Sequence, residues 1–248
     1  MKLLFLIYCF ISIFTIRSIF SAKSEHEKMM NYLIKYGYMD KPNNDKDNSE
    51  DNFEEELKKF QTYFSLNPTG KMDAETKKMM SFPRCGNKDI ESRDYTIEKK
   101  WPQKELTYTI LNYPTDLDAS DTEVEIRRAF SVWTNHIDLK FRESGINPDI
   151  KINFINLTDY EKLGQGYYPY DGIIHINSQH KWGIFTPLGN KKHLFEILVH
   201  EIGHVLGLKH NNDKNSVMYP VTYDYNPTFG LADTDVDAIQ NLYKKSEN

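Results

Sequence analysis

Cysteine is nearly absent: the 248 residues contain 2, Cys9 and Cys85. Cys9 sits in an N-terminal apolar stretch, so removal of that stretch leaves Cys85 alone. A single cysteine excludes a disulfide scaffold, and a lone thiol needs another reason to be there. No strongly basic patch stands out, and the formal net charge is −5 with a pI near 5.9. Nucleic acid is therefore not an expected partner. No apolar run reaches the ~20 residues of a membrane span. The longest, Leu3–Ile16, lies between Lys2 and Arg17 and reads as a secretory signal over 1–22. Ser21-Ala22 offers a small residue before a cut, but Phe20 fits the −3 position poorly, and the apolar character resumes through Ile19. An uncleaved anchor is the alternative. The expectation is secretion without stable membrane association. The sequon Asn156-Leu157-Thr158 agrees weakly.

Histidine is concentrated where it can act. His200-Glu201-Ile202-Gly203-His204-Val205-Leu206-Gly207-Leu208-Lys209-His210 fits H-E-x-x-H-x-x-G-x-x-H, a catalytic zinc pattern. His200 and His204 are four apart, so a helix stacks both imidazoles on one face. Gly207 can take positive φ and stop the helix, letting the chain turn back with His210 as a third ligand. Three nitrogens leave a fourth tetrahedral position open, as in a catalytic rather than a structural zinc. Glu201, beside the first ligand, is the candidate general base.

Two further motifs narrow the reading. Ser216-Val217-Met218-Tyr219-Pro220 resembles the Met-turn of the metzincins, in which Met218 would lie beneath the zinc histidines. Pro83-Arg84-Cys85-Gly86-Asn87-Lys88-Asp89 resembles the cysteine switch of matrix metalloproteinase zymogens, P-R-C-G-x-x-D. The resemblance implies that Cys85 occupies the fourth zinc position in the zymogen and that Arg84 and Asp89 form a salt bridge. A buried unpaired thiol or an intermolecular disulfide is the bland alternative for Cys85. Asn87-Lys88 replaces the family's usual Val-Pro, which predicts a less stiff loop and weaker latency.

The fold class expected is α+β: a small three-helix prodomain, then a metzincin zinc-peptidase domain with a twisted mixed sheet and three helices. The signal peptide would cover 1–22, the inhibitory prodomain 23–94 and the catalytic domain 95–248. Periodicity predicts prodomain helices over Glu25–Tyr38, Phe53–Phe64 and Asp73–Met80, with a solvated loop over Lys41–Asp51. A small helical binding module is the bland reading of that region. Strands are expected at Thr107–Leu111, Asp149–Phe154 and within Gly172–Asn177, the last along the cleft. Helices are expected at Thr122–His136, with Val124, Ile126, Ala129, Phe130 and Trp133 inward, at Lys192–Leu206, and at Asp235–Lys244 with Val236, Ile239 and Tyr243 on one side. Trp101–Tyr243 resembles the matrixin catalytic domain, in a minimal, matrilysin-like layout without the hemopexin domain.

The resemblance also carries departures. Gly164 and Gly166 stand where the family has the His and Asp of a structural zinc, before Tyr168-Pro169-Tyr170-Asp171-Gly172. His175 and His180 remain, and either could be a surface histidine. A second, structural zinc is therefore not expected. Asp149 and Asp171 match calcium positions, but these carboxylates fall short of the six to eight oxygens that calcium takes, which weighs against it. The specificity pocket would be walled by the zinc helix and by Pro220-Val221-Thr222-Tyr223, with Thr222 where a tyrosine is usual. Glu196, one turn before His200, would shape its floor unless it is simply solvated or ion-paired. Asp235 matches the acceptor of the new N-terminal ammonium after activation, or is an ordinary acid at a helix N-terminus.

Together these features predict a secreted, latent zinc endopeptidase. Its substrates would be extended polypeptides aligned antiparallel to an edge strand, and matrix or basement-membrane proteins are implied by the resemblance alone. An activating protease, a protein inhibitor and a monomeric state are implied with it. No Arg-x-Lys-Arg site precedes the catalytic region, so furin-like activation is not expected. Triple-helical collagen is a poor fit without a hemopexin domain.

Overall fold

The computed structural model describes residues 25–41, 50–91, 99–184, 191–223 and 228–244. The signal peptide expected over 1–22, with Cys9 in it, lies outside the described residues, as do most of the Lys41–Asp51 loop and the 94/95 processing boundary. The chain divides into two compact units, Met1–Thr76 and Lys77–Asn248.

The first unit is helical. Helix α1 covers 25–35 and stops three residues before the expected Tyr38. Gly37 takes φ 86°, Gly37 N–H donates to Ile34 O, and Tyr38 N–H donates to Leu33 O at 2.9 Å. That reciprocal pair is a Schellman stop, which periodicity does not register. Helix α2, Glu50–Tyr63, places Phe53, Leu57 and Phe60 on one buried stripe that continues to Phe64. Helix α3, Ala74–Met80, begins where Asp73 caps it, accepting from Thr76 N–H at 2.9 Å. Buried Gln61 ties α2 to the turn before α3: its amide donates to Thr76 Oγ1 at 2.9 Å and accepts from Gly70 N–H at 2.8 Å.

The second unit is a mixed sheet with helices packed on it. Its strands are β1 Arg84–Cys85, β2 Glu105–Ile110, β3 Lys140–Glu143, β4 Ile150–Ile155, β5 Lys162–Gly166 and β6 Ile173–Asn177, in the order β1-β5-β6-β4-β2-β3. Only the β5–β6 pair is antiparallel; β1 runs parallel to β5. A separate pair joins β7 Trp182–Gly183 to β8 Lys192–His193. Ile150, Ile152 and Phe154 alternate inward along β4, as a half-buried strand requires.

Helices α4 Ala119–Thr134 and α5 Leu194–Val205 pack together, and α6 Asp233–Tyr243 closes the unit. Trp133 Nε1–H donates to Val199 O at 3.0 Å, locking α4 to α5. Leu198, Val199 and Ile202 on α5 are fully buried, each worth about 1.5–3 kcal/mol against exposure. Val124 does not face the core: it is 45% exposed, and Thr122 and Glu125 are buried instead. Val124 lies two residues from Ile126, about 200° around the helix, on the opposite face. On α6, Leu242 is buried beside Ile239, and Tyr243 caps the end of α5 by donating to Leu206 O at 2.9 Å.

The strand along the cleft is β5, not the Gly172–Asn177 stretch. β6 lies one strand further in, between β5 and β4. Residues 162–166 carry one apolar side chain and two glycines, so neither alternation nor β propensity marks them as a strand.

Candidate metal centre

Helix α5 delivers His200 and His204 from successive turns, and its end delivers the third ligand. Gly207 takes φ 110°, Gly207 N–H donates to His204 O and Leu208 N–H to Gly203 O at 2.9 Å, so the chain leaves the helix there as the motif predicts. His210 then comes back to the cluster. His200 Nε2 lies 3.2 Å from His204 Nε2 and 3.3 Å from His210 Nε2. Cys85 Sγ lies 3.4 Å from His204 Nε2. One donor atom from each of Cys85, His200, His204 and His210 falls within 4.8 Å of the others, in the one such group among the described residues.

The ring partners show what this cluster is for. Each Nδ1 faces an acceptor that has no proton to give: His200 faces Val217 O at 2.7 Å, His204 faces Leu208 O at 2.8 Å and His210 faces the Asp89 carboxylate at 2.8 Å. Each Nδ1 therefore carries the proton, and three Nε2 lone pairs converge with nothing to donate between them. Such an arrangement is favourable only around a cation. Zinc fits: Zn–N bonds of about 2.0–2.1 Å in a tetrahedron give N···N edges of about 3.3–3.4 Å. Burial lowers all three histidines, His200 to about 3 with His210 as second cause, so each is held as the neutral ligand. Burial, then the neighbouring Glu201, pushes the Cys85 thiol well above its usual value. A cation at the centre would reverse that shift by stabilising the thiolate.

Glu201 is 1% exposed, and burial raises its carboxyl to about 8. Its Oε2 lies 3.5 Å from Cys85 Sγ, beside the fourth ligand position and outside the ligand set. Met218 is buried with its sulfur against Gly203, which lies between His200 and His204 in the sequence. Ser216 and Val217 of that turn are held by Asp235, which accepts from Ser216 Oγ, from Val217 N–H at 2.9 Å and from Ala232 N–H at 2.9 Å. Asp235 thus anchors the Met-turn, a long-range role invisible in sequence.

The switch segment lies in the cleft between two rims. On one side Arg84 N–H donates to Glu161 O at 2.9 Å and Gly86 N–H to Gly164 O at 2.8 Å. On the other, Cys85 N–H donates to Pro220 O at 3.0 Å and Thr222 N–H to Pro83 O at 3.1 Å. Arg84 and Asp89 form a fully buried ion pair. Burial alone would raise the Asp89 carboxyl; Arg84 and His210 together outweigh it and hold it below its usual value. Asn87 is buried, and its amide donates to Gly166 O at 2.7 Å. The Asn87-Lys88 replacement therefore adds a side-chain bond to the rim in place of chain stiffness.

Gly164 and Gly166 have a packing reason. A Cβ on Gly164 would fall 2.8 Å from Glu201 Oε1, and one on Gly166 would fall 3.0 Å from His204 Cβ and closer still to Glu201 O. Both sit on β5 against α5. His175 is half-buried with its ring against Tyr167, and buried His180 has a ring nitrogen 3.3 Å from Lys162 O. Both Asp149 oxygens are in use: Oδ2 accepts from Thr107 N–H and Oγ1 at 2.7 Å, and Oδ1 from Gln103 at 3.1 Å. Asp171 is exposed.

A cavity of about 340 Å³ opens beside His200, lined by Glu196, Tyr219, Val221, Thr222, Phe229 and Leu231 among others. Glu196 and Thr222 both line it. Pro220 is not among its lining residues; its carbonyl faces the switch segment instead.

Comparison with known proteins agrees with this centre. The Peptidase_M10 (Matrixin) family model matches residues 100–244, and a second model, PG_binding_1 (peptidoglycan binding domain), matches 24–80. Matrix metalloproteinase-18 of Xenopus laevis is 37% identical over 213 residues, 79% of this chain and 44% of that protein. The interstitial collagenase of Oryctolagus cuniculus is 36% identical over 78% of this chain and 44% of its own length. The macrophage metalloelastase of Rattus norvegicus is 36% identical over 77% of this chain and 43% of its own. The chain thus spans somewhat under half the length of these relatives. With three histidines, a cysteine and a Met-turn on the matching fold, the chain belongs to the matrixin family.

Proposed function

We propose that this chain is a latent zinc-dependent endopeptidase, held inactive by Cys85. The observation that carries the reading is the placement of Glu201 Oε2 3.5 Å from Cys85 Sγ, next to the position the thiol takes among three histidines. Zinc, when bound, acidifies its water to a pKa of about 7 and polarises the scissile carbonyl. His200, His204 and His210 hold the ion in the protonation state fixed by their Nδ1 partners. With Cys85 withdrawn, the Glu201 carboxylate would take a proton from the attacking water and deliver it to the leaving amine.

The substrate is an extended polypeptide. The carbonyls of Gly164 and Pro220 and the N–H of Thr222, now bonded to the switch segment, are free to bind a substrate main chain once that segment leaves. The substrate runs antiparallel to β5. The switch segment runs parallel to it, so it fills the cleft with reversed polarity and presents no peptide bond in the productive direction.

The reading extends to one catalytic zinc, without a second, structural zinc. It includes secretion, removal of an inhibitory prodomain ending near residue 94 by another protease, control by a protein inhibitor, and a monomeric state. Extracellular-matrix and basement-membrane proteins are the proposed substrates, in keeping with relatives named collagenase and metalloelastase. Among the described residues, no helix is long and apolar enough to cross a membrane.

The test uses the full chain with zinc and a quenched peptide of general matrixin type. Cys85→Ser is expected to cleave it, and Cys85→Ser/Glu201→Ala to lose most of that rate. A zinc-loaded Cys85→Ser chain that cleaves nothing would favour a binding protein over an enzyme.

A further inference from the structure

We infer that Asp89, carried by the inhibitory segment, is a positioning residue for the third zinc histidine, so that the latent chain holds zinc more tightly than the chain from which that segment has withdrawn. The inference rests on the zinc-peptidase reading above. The three histidines differ in what their Nδ1 protons face. His200 faces Val217 O at 2.7 Å, in the Met-turn, and His204 faces Leu208 O at 2.8 Å, just past α5. Both are backbone carbonyls of the catalytic region. His210 instead faces Asp89 Oδ1 at 2.8 Å, and both side chains are fully buried. Asp89 is not one of the four donors around the centre; it stands behind one of them. The same Oδ1 accepts from Arg84 Nη2, so a single oxygen joins the ion pair of the switch to a metal ligand.

The consequence follows from the chemistry of the pair. A carboxylate that accepts from a ligand histidine fixes its tautomer and ring orientation and raises the basicity of the ligating nitrogen. A charged acceptor also makes a stronger bond than a neutral carbonyl. When the segment withdraws, the His210 Nδ1 proton is left to water, which neither holds the ring nor carries a negative charge. The segment therefore contributes twice to the metal, with Cys85 as a ligand and Asp89 behind His210. Linkage makes the effect reciprocal: if the docked segment tightens zinc binding, zinc tightens docking by the same factor. Part of the hold of zinc on the switch then passes through Asp89 and His210 rather than through sulfur.

The experiment uses the full chain with Cys85→Ala, which removes the thiol ligand and leaves Asp89 in place. Adding Asp89→Asn keeps the shape and an amide oxygen for Arg84 but removes the charge. The zinc dissociation constant, measured by competition with a chelating indicator, is expected to rise about 10–100-fold on that addition. In proton–nitrogen NMR spectra of the zinc-loaded chains, the His210 Nδ1 proton is expected with Asp89 present and is expected to vanish into solvent exchange with Asp89→Asn. The Nδ1 protons of His200 and His204 are expected to persist in both. An unchanged dissociation constant, or a His210 proton that survives Asp89→Asn, overturns the inference and leaves the peptidase reading standing. Loss of all three ring protons together also overturns it, because a purely structural Asp89 would act that way. A Cys85→Ala chain that binds no zinc overturns both.

Discussion

The two rims of the cleft grip the same segment in different ways. The β5 rim is a backbone wall: Gly164 and Gly166 bring it so close to α5 that no side chain fits between strand and helix. The opposite rim, 220–222, carries backbone bonds too, but behind it opens a cavity lined by Glu196, Thr222 and Phe229. In the proposed peptidase, the first rim would bond a substrate main chain and the second would border a side-chain pocket. Between them stand the donors and Glu201. On that proposal, latency would need only backbone and a thiol, whereas selectivity would need a pocket.

Removing the group between the rims has the largest effect. In the Cys85→Ser chain, Glu201→Ala should lower kcat/KM by about 10²–10⁴, the usual worth of a positioned acid–base group, and leave bound zinc unchanged in metal analysis. Arg84→Ala should come next. It leaves the Asp89 carboxylate buried without its guanidinium, a loss of about 3–5 kcal/mol. The expected readout is faster reaction of Cys85 with a thiol reagent in the full chain, and an unchanged labelling rate would contradict the account.

Smaller changes sharpen the contrast between the rims. Gly166→Ala overpacks the β5 wall and should cost about 1–3 kcal/mol, or several degrees of Tm. Gly145→Ala, where nothing lies within 4 Å of the added Cβ, is the control that should not move. Asn87→Ala removes one side-chain bond to Gly166 O, worth about 1 kcal/mol, and should raise the Cys85 labelling rate about fivefold. A rate no different from the parent would mean that Asn87 does not help hold the switch.

The metal centre was legible in sequence because its grammar is local. Two histidines on successive helical turns, a glycine that stops the helix and a third histidine all fall within eleven residues. The Arg84–Asp89 pair was legible for the same reason, being five residues apart in a recognisable motif. The second partner of Asp89, His210, lies 121 residues away and needed the fold. So did the role of Asp235, which reaches the Met-turn across 19 residues, and the exclusion of Pro220 from the pocket. Strand β5 escaped because its sequence, Lys162-Leu163-Gly164-Gln165-Gly166, is shaped by a neighbouring helix rather than by a solvent-and-core alternation. Its glycines, compared with a family pattern, looked like lost ligands; in the fold they are what lets the wall close.

The central claim is that Cys85 and three histidines share one zinc. Zinc K-edge absorption of the full chain tests it most directly. The account predicts one sulfur at about 2.3 Å and three nitrogens at about 2.0–2.1 Å, with the sulfur lost in Cys85→Ser and the nitrogens kept. A zinc-loaded wild-type chain with no sulfur in its coordination shell, or a spectrum unchanged by Cys85→Ser, would contradict it.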